Sequence, residues 1–459
     1  MDEHRPPTRP HAMTPPIPAG RLTAAQGAAL YVGAVLGTGV IALPGLAADV
    51  AGPASLVAWL VLVVVSAALA ATFAALGARH PDSGGVSTYA RRAFGDRAAA
   101  VVGWCFYFAV PPGAAAAALF GGAYVAAATG GGRVTIALTA AALMAAVTAT
   151  NAAGVRVAGR IQLAMAGLLV AFLLGAVLLA LPHAEPANLR PFAPHGWPAV
   201  GSATALLVWS FVGWEAITHL TGEFRRPARD VPRAAAAAVL IVGVLYLAVA
   251  AATVAVLSPS VLGGSGAGAQ APLGELLAVA LGGDARVLAA AAAVFLTFGA
   301  MNAYYAGAAK LGAALGRDGA LPAWFARGSM AGEVPRRSLA VGAGLAFVAL
   351  LAAVATGAGA RPLVLLTTGS FVTVYAVGTA AAVRLLPRDS RVRPVAVVAF
   401  AAVLVLLVLT GPYLAWPLTV TAAALLYLRS AGRAGQPVPA GRAGQPVSAG
   451  RADQPTRNE

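Results

Sequence analysis

Charge is scarce in this chain. Of 459 residues only 10% are Asp, Glu, Lys or Arg and 59% are hydrophobic, with mean hydropathy +0.79. Soluble proteins carry roughly 25% charged and about 45–50% apolar residues, so an ordinary soluble domain is excluded. Cysteine is nearly absent. Cys105 stands alone, which excludes an intrachain disulfide and a cysteine-built metal site. Lysine is equally rare, with Lys310 the one lysine against thirty arginines, a bias of coding rather than of mechanism. The sequence also lacks the constellations that carry catalysis: no nucleophile with its base, no metal-ligand cluster and no paired carboxylates. Its glycine-rich stretch Gly263-Gly264-Ser265-Gly266 is followed by no lysine and preceded by no strand, so it is a linker and not a phosphate loop. Enzymatic activity, a cofactor, a bound metal and ATP hydrolysis are therefore not expected.

What the chain has in abundance is apolar runs. About twelve of them are long enough to cross a hydrocarbon core of about 30 Å: 24–50, 54–78, 98–128, 134–152, 157–182, 199–222, 234–257, 285–315, 338–357, 362–386, 394–411 and 413–428. Only Gly411-Pro412 separates the last two, which predicts a tight hairpin or a partly interfacial pair. The chain is thus expected to be an all-α integral membrane protein.

Arginine and lysine fall unevenly between the loops. Threading the chain through those spans puts 27 of the 31 basic residues on one side and Arg133, Arg190, Arg286 and Arg361 on the other. The positive-inside rule then places both termini in the cytoplasm and the protein in the plasma (inner) membrane. The net charge of +15 is a topology signal, not a nucleic-acid surface. Residues 1–21, rich in Pro and His, read as a disordered cytoplasmic N-terminus without a cleaved signal peptide. Residues 431–459 repeat AGRAGQPV-like nonapeptides and read as a disordered cytoplasmic tail, in weak contact with anionic lipid at most. Between them lies a membrane domain, 22–430.

Two of the apolar runs are interrupted. In GAVLGTGVIALPG (Gly33 to Gly45), Gly37, Gly39 and Pro44 are placed to unwind the first span, and FVGWE (Phe211 to Glu215) interrupts the sixth. Non-helical backbone at membrane depth is tolerated only where it is buried in protein or lines a cavity. Broken helices at corresponding places of two halves mark a transporter's substrate site. Spans one to five (22–182) and six to ten (199–386) form those halves. An odd number of spans in the first makes the second inverted, with 394–428 as extra helices.

Four stretches carry a likeness to a known family. They are GAVLGTGVIALPG, PDSGGVSTYARRAFG (Pro81 to Gly95), VWSFVGWEAITHLTGEFRRPARDVPRA (Val208 to Ala234) and KLGAALGRDGALPAWF (Lys310 to Phe325). In wording and order the chain resembles permeases of the amino acid/polyamine/organocation superfamily, and most nearly bacterial exporters of methionine and branched-chain amino acids. The resemblance implies a LeuT-like 5+5 inverted repeat with discontinuous helices 1 and 6, and alternating access without a cofactor.

It also implies a site. Amides exposed at Gly37, Thr38, Gly39 and Val40, with the Thr38 hydroxyl, suit a substrate carboxylate at a helix N-terminus. Carbonyls released around Trp209, Ser210, Phe211, Val212 and Gly213 suit its ammonium, and Trp209 occupies the place of an aromatic lid. Glu215, a carboxyl near mid-membrane, is either a hydrogen-bond partner for unwound backbone or a proton carrier, and His219 one turn on could pair with it. A basic residue that some proton-coupled relatives have in the fifth span is replaced by Leu169, which speaks against a fixed-lysine coupling. The expected partners are an amino acid and membrane lipid. The alternatives are a proton-coupled importer or exchanger of amino acids or polyamines, and a non-transporting nutrient receptor. Coupling to protons and oligomeric state are open.

Overall fold

The computed structural model describes residues 22–80, 85–154, 159–215, 221, 224–263, 271–329 and 333–433. Residues 1–21 and 434–459 of the terminal segments expected to be disordered, and His219, lie outside them; Ala431 to Arg433, expected in the tail, instead end the last helix. The regular elements among the described residues are all helices, with one isolated bridge of Leu22 to Phe224.

Helix α1 (Ala24–Val35) starts at a capping box: Thr23 Oγ1 accepts the Gln26 N–H while Gln26 Oε1 accepts that of Thr23. It stops at Leu36, and α2 (Gly39–Ala51) resumes three residues later. The first break is therefore confined to Leu36, Gly37 and Thr38. Pro44 does not unwind the segment as the sequence suggested; it sits inside α2, where a phenol from another helix, Tyr124, donates to the neighbouring Ile41 carbonyl. Gly52 (φ +60) turns the chain into α3 (Ser55–Arg79).

Next come α4 (Gly85–Phe94), α5 (Asp96–Thr129), α6 (Arg133–Ala152) and α7 (Gly159–Ala180). The short, strongly amphipathic α4 occupies what reads in sequence as a connecting loop; it buries Val86, Tyr89 and Ala90 and keeps Arg91 and Arg92 outside. Helix α8 (Pro198–Leu207) gives way to a 3₁₀ turn, Val208–Phe211, and the chain leaves helical geometry altogether at Val212. Gly213 has φ +126, a value that an L side chain rarely adopts. The sixth segment thus loosens at Val208, earlier than FVGWE suggested.

Beyond it lie α9 (Pro227–Val256), α10 (Pro259–Leu262), α11 (Pro272–Leu281), α12 (Ala285–Arg317), α13 (Arg336–Thr356), α14 (Arg361–Leu385), α15 (Arg393–Thr410) and α16 (Ala415–Arg433). The stretch 258–284, read as a Pro- and Gly-rich loop, contains α10 and α11. A bidentate pair, Arg286 to Glu275 at 2.9 and 2.7 Å, ties α11 to α12. Burial, followed by the Arg92 and Arg79 charges, lowers the pKa of His80 just past the end of α3.

Among the described residues eight helical stretches are long and apolar enough to cross a membrane: Gly39–Arg79, Asp96–Thr129, Arg133–Ala152, Pro227–Val256, Ala285–Arg317, Arg336–Thr356, Arg361–Leu385 and Arg393–Ala431. Shorter apolar stretches are Gly167–His183, Pro198–Phe211 and Pro272–Leu281. The difference from twelve has three causes. Gly39–Arg79 and Arg393–Ala431 run through bends at Gly52 (φ +60) and Gly411 (φ +58) and, at 41 and 39 residues, are each about twice the length one crossing needs. The sixth segment is cut short by its break, at Pro198–Phe211. The fifth is represented among the described residues by the shorter Gly167–His183.

Helix α5 is the central strut, packed on α6, α12, α13, α14, α16 and the 85–94 helix. It contains Pro111 and Pro112, and a proline cannot donate to the carbonyl four residues earlier. The carbonyl of Phe108, freed by Pro112, instead accepts from the Trp416 indole N–H of α16 at 3.3 Å. Trp416→Phe keeps the ring and removes that donor. It is expected to cost about 1 kcal/mol, read as a lower Tm of the detergent-solubilised protein. An unchanged Tm would show that the carbonyl finds another donor.

Candidate functional site

Both breaks face the same interior space. A cavity of about 50 Å³ lies between them, bordered on the first broken segment by Val35, Gly37 and Thr38 and on the sixth by Trp209 and Val212. Helix α5 supplies Ala109, Val110, Gly113, Ala114 and Ala117; α12 supplies Ala300, Met301 and Tyr304; α14 supplies Thr367 and Phe371. Among the described residues no Asp, Glu, Lys, Arg or His borders it. Its polar groups are hydroxyls, the Trp209 indole and open backbone. A water needs roughly 10–15 Å³ of such space, so the cavity admits a few waters or one small side chain.

The Thr38 side chain makes no capping bond to α2, which leaves its hydroxyl available to a ligand. The amides of the first turn of α2 lack intrahelical partners, as at any helix N-terminus, and point back toward the break. Ser210 Oγ is buried without a partner among the described residues. The Thr38 hydroxyl and the α2 amides are donors at the cavity, while Ser210, which does not border it, lies beside Gly39.

Four of the eight residues expected to bind substrate border the cavity: Gly37, Thr38, Trp209 and Val212. Gly39, Val40, Phe211 and Gly213 do not. Gly39 is where the two broken segments cross, and a Cβ placed there would stand 2.5 Å from Ser210 Oγ and 2.8 Å from Trp209 Cδ1. Val40 is fully buried, and the Phe211 ring turns away to Trp59 and Tyr246, with centroids 5.8 and 5.1 Å apart. Gly213 directs its N–H to Glu215. The Trp209 indole spans the cavity wall, because its far edge reaches within 3.2 Å of where a Cβ on Gly113 would lie.

Glu215 is 2% exposed and does not border the cavity. Its Oε2 accepts from the Gly213 N–H at 3.1 Å and from the Tyr375 hydroxyl of α14 at 2.5 Å. The carboxyl therefore holds the unwound backbone of the sixth segment to α14. The relay partner expected for it, His219, lies outside the described residues.

Sequence reasoning missed the tyrosines that hold the breaks open. The Tyr246 hydroxyl of α9 shares its proton between the Val35 carbonyl at 2.8 Å and the Ser210 carbonyl at 2.7 Å, one acceptor from each broken segment. Tyr375 braces the sixth segment. Tyr124 of α5 braces α2 at Ile41 and accepts from the Leu273 N–H at 3.2 Å. A lone tyrosine in an apolar helix gives no local signal; only the spacing from the break, known after folding, selects it.

A bundle of apolar helices with two of them unwound around a shared interior cavity defines a membrane transport protein. Comparison with known sequences gives the particular family. The sequence profile described as amino acid permease matches residues 22–430. The uncharacterized amino acid permease YecA of Bacillus subtilis is 33% identical over 90% of this chain and 96% of its own length. The L-methionine/branched-chain amino acid exporter YjeH of Escherichia coli is 31% identical over 84% and 91%. An uncharacterized transporter of Mycobacterium tuberculosis is 31% identical over 80% of each chain. The chain belongs to the amino acid permease family. It is a multi-pass membrane transporter and not an enzyme.

Proposed function

We propose that the protein is a secondary transporter of the plasma membrane that exports neutral apolar amino acids, such as leucine, isoleucine, valine and methionine, by alternating access. The observation that carries this reading is the lining of the central cavity: two sets of open backbone groups, the hydroxyls of Thr38, Thr367 and Tyr304, the Trp209 indole and otherwise apolar side chains, without a charged residue among the described ones. The amides at the start of α2 take the substrate carboxylate and the carbonyl side of the sixth segment takes its ammonium. Val35, Val212, Met301 and Phe371 take an uncharged side chain. A polyamine or a cationic amino acid would need a carboxylate on this wall. Export is favoured by likeness to the Escherichia coli exporter. Twelve spans in a 5+5 inverted repeat plus a terminal hairpin, α15 and α16, complete the proposed architecture.

Counterflow in proteoliposomes tests it. Radiolabelled leucine and methionine are expected to exchange, while arginine and putrescine do not, with and without a pH gradient. Equal counterflow of putrescine would overturn the reading. Direction follows from cells: a strain overproducing the protein is expected to lose preloaded leucine faster than the parent strain, and faster uptake instead would make the protein an importer.

The proposed topology places the arginine-rich end of the bundle in the cytoplasm. In a Cys105→Ser background, cysteine replacing Ser430 should react only with reagents on the cytoplasmic side and cysteine replacing Ser260 only with those outside. Labelling of both from one side would require an even number of crossings between them, against the five proposed.

A further inference from the structure

A second cavity, of about 350 Å³, lies at the other end of α2. Thr38 borders the first cavity and Ala48 the second, so about 15 Å of helix separates them at roughly 1.5 Å per residue. Its walls come from the end of α2, the 188–195 loop, the end of α9 and α10, at the pole of the bundle opposite the arginine-rich face.

Unlike the first cavity it is charged. Asp49, Arg190, His195 and Asn188 all border it. Asp49 and Arg190 carry opposite charges on one cavity and are not ion-paired with each other or with any other of the described residues. The four ion pairs among the described residues are Arg91–Asp96, Arg226–Asp230, Arg286–Glu275 and Arg317–Asp318. Two unpaired opposite charges on one concave wall complement a ligand that itself carries both.

The wall is built and not a passing arrangement of loops. The Ala54 N–H donates to the Phe192 carbonyl at 2.8 Å, the Glu185 N–H to the Ala255 carbonyl at 2.9 Å and Asn188 Nδ2 to the same carbonyl at 3.0 Å. His195 Nδ1–H donates to the Val50 carbonyl at 3.0 Å, and a Cβ on Gly52 would meet the Pro194 ring at 2.5 Å, so only glycine lets the loop seat there. The loop is thereby fastened to α2, α3 and α9 before any ligand arrives. The C-terminal end of α2 adds partial negative charge beside Asp49, which favours an ammonium there and leaves Arg190 for a carboxylate.

We propose that this second cavity binds a zwitterionic α-amino acid, its ammonium at Asp49 and its carboxylate at Arg190, as a way-station between the central cavity and the medium. This rests on the transport reading for its physiological sense, and its test is separable from that reading.

Gly263 borders the cavity, and a Cβ on it would lie 3.8 Å from Asp49 Oδ1. Gly263→Cys in a Cys105→Ser background therefore reports occupancy by its rate of reaction with an impermeant maleimide. Leucine is expected to slow labelling at least tenfold. Leucinamide, which lacks the carboxylate, and 4-methylpentanoate, which lacks the ammonium, should not protect at the same concentration. Asp49→Asn and Arg190→Gln should each raise the half-protecting leucine concentration at least tenfold. Protection should persist when Gly39→Val blocks the central cavity; if that variant is not monodisperse, Thr38→Ala, which weakens the central site, should leave the half-protecting leucine concentration unchanged, and a rise there would count as loss. Failure of leucine to protect, equal protection by leucinamide, survival of protection in both charge variants, or its loss on blocking the central cavity would each overturn the proposal. Wild-type leucine counterflow without protection sinks this inference alone. Protection that depends on Asp49, in a protein that moves no amino acid, sinks the transport reading alone.

Discussion

The Gly39→Val protein is expected to lose leucine counterflow altogether. Gly39 is the first residue of α2, and a Cβ there would lie 2.5 Å from Ser210 Oγ, 2.8 Å from Trp209 Cδ1 and 3.0 Å from Ser210 Cα. The last of these is backbone, which no rotamer change can move aside. Valine therefore forces the two broken segments apart at the point where they cross. Overpacking of this kind costs about 1–3 kcal/mol. Separating the segments also moves Trp209 and the open amides at the start of α2 off the positions that would hold a substrate. Thr38→Ala removes a single hydrogen bond to a charged group, worth about 1.5–3 kcal/mol, so affinity should fall about tenfold to a hundredfold with the fold intact. Both variants are compared by size-exclusion chromatography and leucine counterflow. A monodisperse Gly39→Val protein that moves leucine normally would place the substrate elsewhere.

The membrane class and the position of the breaks were legible because each rests on local composition. Apolar runs declare spans, and glycine pairs around Thr38 declare an interrupted helix whatever lies next to it. Pro44 misled because a proline's cost depends on its neighbours; α2 is buried almost throughout and Tyr124 donates beside the bond that Pro44 removes. Helices α4 and α11 were read as loops because they are short and flanked by Gly and Pro, and their helicity comes from docking one face on the bundle, a tertiary effect. In the site, Gly37, Thr38, Trp209 and Val212 were readable from motif position. The cavity's far wall was not: Gly113, Met301, Tyr304, Thr367 and Phe371 come from three helices more than about 60 residues from either motif, in plain apolar sequence, and only packing brings them together. Glycines showed a similar division. Gly213 could be singled out by its motif, but its φ of +126 and its bond to Glu215 could not.

Glu215 and Tyr375 should prove to be a brace between the sixth segment and α14. The carboxyl oxygen takes the Tyr375 proton at 2.5 Å and the Gly213 N–H at 3.1 Å, and it is withdrawn from the central cavity. A carboxyl that already accepts two hydrogen bonds, one from unwound backbone, has a structural use that needs no proton transfer. Glu215→Gln keeps an acceptor for both donors and discards the charge; Tyr375→Phe keeps the ring and discards one donor. Each bond to a charged group is worth about 1.5–3 kcal/mol, so both variants should lower Tm, and Glu215→Ala, which leaves the Gly213 amide and the Tyr375 hydroxyl buried and unpaired, should lower it most. Glu215→Gln should still transport, more slowly, with the pH dependence of the wild type. The measurement is leucine counterflow and gradient-driven flux across a pH series in proteoliposomes, beside thermal stability in detergent. If Glu215→Gln keeps its Tm but loses its response to a pH gradient, the carboxyl carries the coupling proton and the brace is secondary. If instead stability falls in all three variants while the pH profile keeps its shape, the carboxyl's task is to hold the sixth segment unwound, and any proton that moves with substrate travels by another group.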